Sequence, residues 1–169
     1  MIQISIDFIL IGITVLVSTL TVLYVYLVCK ARIENIKQRK KEAYIAANLP
    51  EWDSYFRDEI ALHNKMLPRN ASEIQGVESI FFAYIKNFSD VEIREKIKAF
   101  SNQYLKEYYR NILKSKKWSI RLNALYRIID FQIEELLDEC RQLERQKPSH
   151  EEYFQLLSIY SRMDIEHFF

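Results

Sequence analysis

Apolar residues follow two different patterns along this chain. From Phe8 to Cys29 it reads FILIGITVLVSTLTVLYVYLVC, without a single charge. Beyond Lys30 the apolar positions recur at steps of three and four, the period of a helix. As a helix the uncharged run spans roughly 33 Å at about 1.5 Å per residue, enough for a hydrocarbon core of about 30 Å. Its Ile, Val and Thr content favours a strand in water, but a lone strand in lipid leaves its backbone groups unpaired, so a transmembrane helix is expected. Thr14, Ser18, Thr19 and Thr21 are placed to bond back to the preceding turn or to face a partner helix. Tyr24 and Tyr26 suit the interface.

The flanks of this run predict its orientation. Met1 to Asp7 carries no base, whereas the other side carries Lys30, Arg32, Lys37, Arg39, Lys40 and Lys41. By the positive-inside rule the N-terminus is outside and the rest cytoplasmic, as in a single-pass cell-membrane protein. A cleaved leader needs a basic start and a small-residue cleavage site, and neither is present. No Gly or Pro interrupts Lys30 to Leu49, so a charged helical stalk is expected to continue the span. The expected organisation is 1–29 external N-terminus and span, 30–49 basic stalk, and 50–169 cytoplasmic helical domain.

Within that domain Pro50 is expected to open a helix striped by Trp52, Phe56, Ile60, His63 and Leu67 and closed by Pro68. Ile74, Val77, Phe81, Tyr84 and Phe88 mark a second, ending near Asn87. Ser89 with Glu92 reads as a capping box, with Asp90 suited to the helix start. It opens a third stripe of Ile93, Ile97, Phe100, Tyr104, Tyr108 and Ile112. After a break at Lys114–Lys117, Trp118, Leu122, Leu125 and Ile129 form a helix ending at Asp130. Ile133, Leu136, Leu137, Cys140 and Leu143 form its partner. Ser149 and Glu152 make another capping box, followed by Tyr153, Leu156, Leu157, Tyr160 and Met163. No segment alternates with period two, and the expected fold class is all-α.

Composition narrows the function classes. The chain has 24 Lys plus Arg against 23 Asp plus Glu, net +1, with two Gly and two Cys. The basic excess belongs to the stalk; the remainder is mildly acidic, and no nucleic-acid partner is expected. Two Gly cannot build a phosphate-cradling loop, and two Cys cannot build a disulfide framework. His63 reads as a packing residue, Cys140 as a small buried hydrophobe, and Cys29 as a boundary cysteine open to acylation. His150, His167 and the acids around them form no metal-ligand spacing. Glu134, Glu135, Asp138 and Glu139 read as a solvated face. Asn70 and Asn87 match glycosylation acceptors that stay unmodified in the cytoplasm. With no nucleophile–base pair or metal set, neither an enzyme nor a cofactor is expected.

The segment WSIRLNALYRIIDFQIEELLDECRQL resembles a HEAT-type helical repeat, with Arg121, Ala124, Leu125 and Asp130 at the family's first-helix and turn positions. Ile133, Leu136 and Leu137 match the second helix. HEEYFQLLSIYSRMDIEHFF begins the same way but has Glu152 where the Arg would stand. The resemblance implies an α-solenoid, in which stacked helix pairs bury one another's apolar faces and leave an extended surface for a protein partner. It also implies internal pairing of Arg121 with Asp130. Whether Phe168 and Phe169 pack back, meet another chain or precede further repeats is left open, as is self-association.

Arg110, Lys114, Lys116, Lys117, Arg121 and Arg127 fall in a stretch without acids that also holds Trp118 and Tyr126. They are either a docking patch for an anionic partner or ordinary turn charges. The resulting expectation is a non-enzymatic, membrane-tethered adaptor whose repeats bind a protein at the membrane. Its setting, implied by HEAT-like membrane proteins, is an accessory subunit of an envelope polysaccharide synthesis or export assembly. The alternative is a structural subunit acting through Gly12, Thr14, Ser18 and Thr21 of its anchor.

Overall fold

The computed structural model describes residues 6–88 and 90–163. Ser89, His167 and the Phe168–Phe169 end lie outside them. The described residues are all-α: α1 Ile6–Phe56, α2 Ala71–Asn87, α3 Val91–Phe100, a π-helical turn Ser101–Leu105, α4 Lys106–Leu113, α5 Trp118–Phe131, a 3-10 turn Glu134–Leu136, α6 Leu137–Glu144 and α7 His150–Met163.

α1 is the first departure from expectation, because Pro50 lies inside this 51-residue helix rather than opening one. Proline removes one N–H from the ladder. The helix continues because Tyr44, Asn48, Trp52 and Phe56, each one turn apart, are all buried against the domain on both sides of that gap. The other end of α1, Phe8 to Val28, is exposed at every position, and α1 is long and apolar enough to cross a membrane. The hydroxyls of Thr14, Ser18, Thr19 and Thr21 donate to the carbonyls four residues back at 2.8–2.9 Å. Those hydroxyls are thereby satisfied within the helix.

α1 ends at Phe56, not at Pro68. Asp58 adopts a left-handed φ of 61°, and Glu59 N–H closes onto Ser54 O at 2.9 Å, a Schellman closure without glycine. Ile60 and Leu67 therefore lie in a non-helical return segment, and His63 is exposed, 3.4 Å from Glu51 Oε2, instead of packing in the core. Gln132 closes α5 in the same manner, with Ile133 N–H on Ile128 O at 3.0 Å. Lys96 covers the end of α1, donating to Tyr55 O and Phe56 O at 3.2 and 3.0 Å.

The return segment brings α2 back beside the middle of α1. Asn70 caps α2, its Oδ1 accepting from Ser72 and Glu73 N–H at 3.1 Å. Gly76 packs on Tyr44, and Tyr84 OH donates to Asp53 at 2.7 Å, so α1 and α2 run in the same direction. A Cβ on Gly76 would meet the Tyr44 ring at 2.6 Å. That ring is buried and its hydroxyl is held by Met66 O, so it cannot swing aside. Gly76→Ala is therefore expected to lower stability by about 1–3 kcal/mol, against the gain of about 1 kcal/mol usual for Gly to Ala in a helix. Chemical denaturation of the detergent-solubilised chain reads the sign directly; a stabilised variant would show that α1 and α2 do not meet there.

α3 and α4 return antiparallel to α2, and the π turn between them changes the register. Ile93, Ile97 and Phe100 are buried as the stripe predicts, but then Leu105, Tyr109 and Leu113 replace Tyr104, Tyr108 and Ile112. One extra residue in the turn advances the buried face by one position. The turn also presents Asn102, whose amide donates to Gln132 O at 2.9 Å and accepts from Glu135 N–H at 3.1 Å. It thus clamps the α5–α6 connection. α5 then packs on α4 and α7, and α6 runs beside α4.

Candidate functional site

The helix directions sort the connecting turns into two ends. α2, α5 and α7 start near the point where α1 arrives from its apolar half, and α3 and α6 start at the opposite end. Lys40 and Arg69 line one groove between α1 and the start of α2. Gln75, Ile112 and Ile120 line the neighbouring cleft of about 330 Å³ between α2, α4 and α5. The Lys114–Lys117 turn lies beside that cleft. Ser149 at the α6–α7 turn joins the same end through Glu152, which Arg121 grips.

The six basic residues singled out from sequence divide at this end. Arg110 pairs with Glu107 and Glu139. Arg121 forms a two-pronged pair with Glu152, at 2.7 and 3.0 Å, and donates to Ser115 O at 2.8 Å. Arg127 lies 3.6 Å from both Glu78 and Asp130, and its guanidinium covers the Phe82 ring at 4.4 Å. Lys114, Lys116 and Lys117 are exposed, and form no ion pair among the described residues. The fold therefore leaves three lysines in one turn facing water and uses the three arginines to join helices.

The expected Arg121–Asp130 pairing does not form. Asp130 is nine residues along α5 from Arg121, at the opposite end of the helix, and Arg127 reaches it instead. Arg121 turns to Glu152 on α7, which is completely buried and also accepts from Ser149 N–H at 2.8 Å. The Ser149–Glu152 box is thus a cap and an interhelical bridge at once. The N-cap of α3 is Asp90, one residue beyond the expected start of the Ser89–Glu92 box, accepting from Glu92 N–H at 2.8 Å.

Nor is the acidic run that spans the Glu134–Leu136 turn and the start of α6 merely solvated. Glu134 meets Lys98 at 2.7 Å, Glu135 meets Lys106 at 3.1 Å, and Glu139 meets Arg110, forming a ladder onto the α3–α4 helix. Sequence reading missed it because the partners lie about thirty residues away on another helix. Asp138 pairs locally with Arg141.

Within the cleft, Tyr109, Glu78 and Arg127 are engaged with one another. Tyr109 OH donates to Glu78, and burial beside that carboxylate pushes the phenol well above its ordinary value. Cys140 is buried and its thiol is pushed from 9.0 to about 12 by desolvation, so the neutral form persists at physiological pH. Among the described residues, no three of His, Cys, Asp and Glu come together as a metal set. Several large apolar side chains stay exposed on the outer helices, namely Trp118, Ile120 and Tyr126 on α5 and Tyr153 and Phe154 on α7. Trp118 and Tyr153 were expected in buried stripes. Tyr153 instead faces water because Glu152, its neighbour, takes the inward position.

The class this defines is an all-α protein with one candidate membrane-spanning helix continuous with its folded domain. Comparison with protein-family models, curated proteins and solved structures finds no match for the chain.

Proposed function

We propose that this chain is a single-pass membrane adaptor, N-terminus outside, whose cytoplasmic HEAT-like helix pairs bind a protein partner. The observation that carries this reading is the exposure of large apolar side chains on the packed helices α5 and α7, chiefly Tyr126 and Phe154. Large exposed apolar groups of this kind mark interaction surfaces. The stacking of α5 on α7, with α6 beside α4, supports the solenoid reading. An accessory role in an envelope polysaccharide synthesis or export assembly is the setting we favour.

In the second reading, the chain is a structural membrane subunit working through its anchor. Gly12 has open space around it on α1, which would admit a neighbouring helix. Co-purification of the full chain in mild detergent separates the two. Tyr126→Asp with Phe154→Asp is expected to lower partner recovery by about tenfold, a loss of about 1.4 kcal/mol. Replacement of residues 8–29 by a Leu-rich span is expected to leave recovery unchanged. Loss only with the replaced span would transfer the function to the anchor.

A further inference from the structure

We propose that the end of the helical domain nearest the apolar half of α1 docks onto anionic lipid headgroups of the bilayer that α1 crosses, holding the domain down on the membrane. This rests on reading α1 as a membrane anchor.

The fold gathers charge that the sequence disperses. The α4–α5 turn contributes Lys114, Lys116 and Lys117, and the α6–α7 turn contributes Arg145 and Lys147, all exposed. None of the five forms an ion pair among the described residues. They share this end with Lys40 and Arg69. The acids nearby are mostly engaged: Glu73 accepts from Arg69 N–H and Asn70, and Glu144 accepts from Tyr160 OH. Glu42 accepts from Gln38, while Glu151 is exposed at the start of α7. At the opposite end the turns carry Asp58, Glu59, Asp90, Glu92, Asp130 and Glu134, with Arg57, Lys86, Arg94, Lys96 and Lys98 beside them, Lys96 paired to Asp58 and Lys98 to Glu134. The excess of exposed basic charge without an ion-pair partner therefore lies toward the uncharged span, whereas acids and bases nearly balance at the far end.

The geometry brings this end within reach of headgroups. Lys40 lies about 16 Å along α1 from Cys29, at about 1.5 Å per residue, and the headgroup layer accounts for about 6 Å of that. An upright α1 leaves a gap of about 10 Å. The domain packs to one side of α1, with its outer helices displaced by about 20 Å at the usual helix spacings. A common tilt of about 20° toward that side lowers them by about 7 Å. Lysine side chains cover the remainder, extending their stems along the surface. Trp118, 49% exposed, adjoins the three lysines at the start of α5, and an indole suits the interface. An acidic protein loop would satisfy the same charges, but continuity with α1 places an anionic surface at this end without any further partner.

Trp118 provides the measurement. The full chain is reconstituted into vesicles of phosphatidylcholine alone, or with phosphatidylserine added, each containing a dansyl-labelled headgroup as energy acceptor. Trp52 is completely buried and supplies a common background, subtracted with Trp118→Phe. Transfer from Trp118 is expected to rise when phosphatidylserine is present and to fall as salt screens the contact. Lys114→Gln, Lys116→Gln and Lys117→Gln together are expected to shift the docked-to-lifted ratio by about 100-fold, at about fivefold per charge, and the Glu triple variant by more. Equal transfer in neutral and anionic vesicles, or no response to charge reversal, would overturn the docking. Alkaline extraction of the same vesicles tests the anchor separately. A chain released by carbonate defeats the anchor reading and the docking with it, whereas a chain that stays embedded without lipid-dependent transfer defeats the docking alone.

Discussion

Trp52→Ala is expected to destabilise the domain by about 3–5 kcal/mol, the usual cost of emptying a fully buried tryptophan site. Trp52 has no exposed surface. Its ring meets Phe81 and Phe100 edge-on, each at 5.0 Å, and Phe56 at 5.7 Å. These rings come from α1, α2 and α3, so one side chain fills the place where the first three helices join. Against a total stability of about 5–15 kcal/mol for a domain, the loss is a large fraction. Denaturant titration of the full chain in detergent, followed by far-UV circular dichroism, checks it. Trp118→Ala is the control: half-exposed, it is expected to move the midpoint by no more than about 0.5 kcal/mol. Equal effects from the two tryptophans would remove Trp52 from the centre of the core.

Arg121→Ala is the second large effect. Removing the guanidinium leaves the Glu152 carboxylate buried with only the Ser149 N–H to satisfy it, at an expected cost of about 3–5 kcal/mol. The same variant loses the bond to Ser115 O that fixes the α4–α5 turn. Adding Glu152→Gln is expected to recover part of the loss, because a neutral amide is less costly to bury unpaired than a charge. Thermal unfolding of the two variants, with exposed Arg145→Ala beside them, reads the difference. If Arg121→Ala melts no lower than Arg145→Ala, the bridge contributes nothing.

Several elements were legible because their signals are local. The uncharged run, the 114–117 break, the end of α2 at Asn87 and the Ser149–Glu152 box depend on neighbours within a few positions. The missed end of α1 has a different cause. Asp58 takes a left-handed φ of 61°, a conformation the sequence signals when glycine supplies it and conceals when another residue does. The π turn was equally hidden: Ile93 to Ile112 keeps helical steps throughout, and only packing reveals that the buried face moves to Leu105, Tyr109 and Leu113. For the candidate site, the basic residues were visible as a cluster. Their division into helix-joining arginines and free-facing lysines was not, because Glu78, Glu139 and Glu152 come from other helices.

By itself, the sequence determined the helical class and the contrast between an uncharged N-terminal run and a polar remainder, since both follow from composition and period along a single stretch of chain. Tertiary structure decided that α1 runs unbroken through Pro50 into the core, because burial of Tyr44, Asn48, Trp52 and Phe56 outweighs one missing backbone bond. It also decided which charges face water. That choice depends on partners brought close by packing, and a pattern read along one strand of sequence contains no distances between helices.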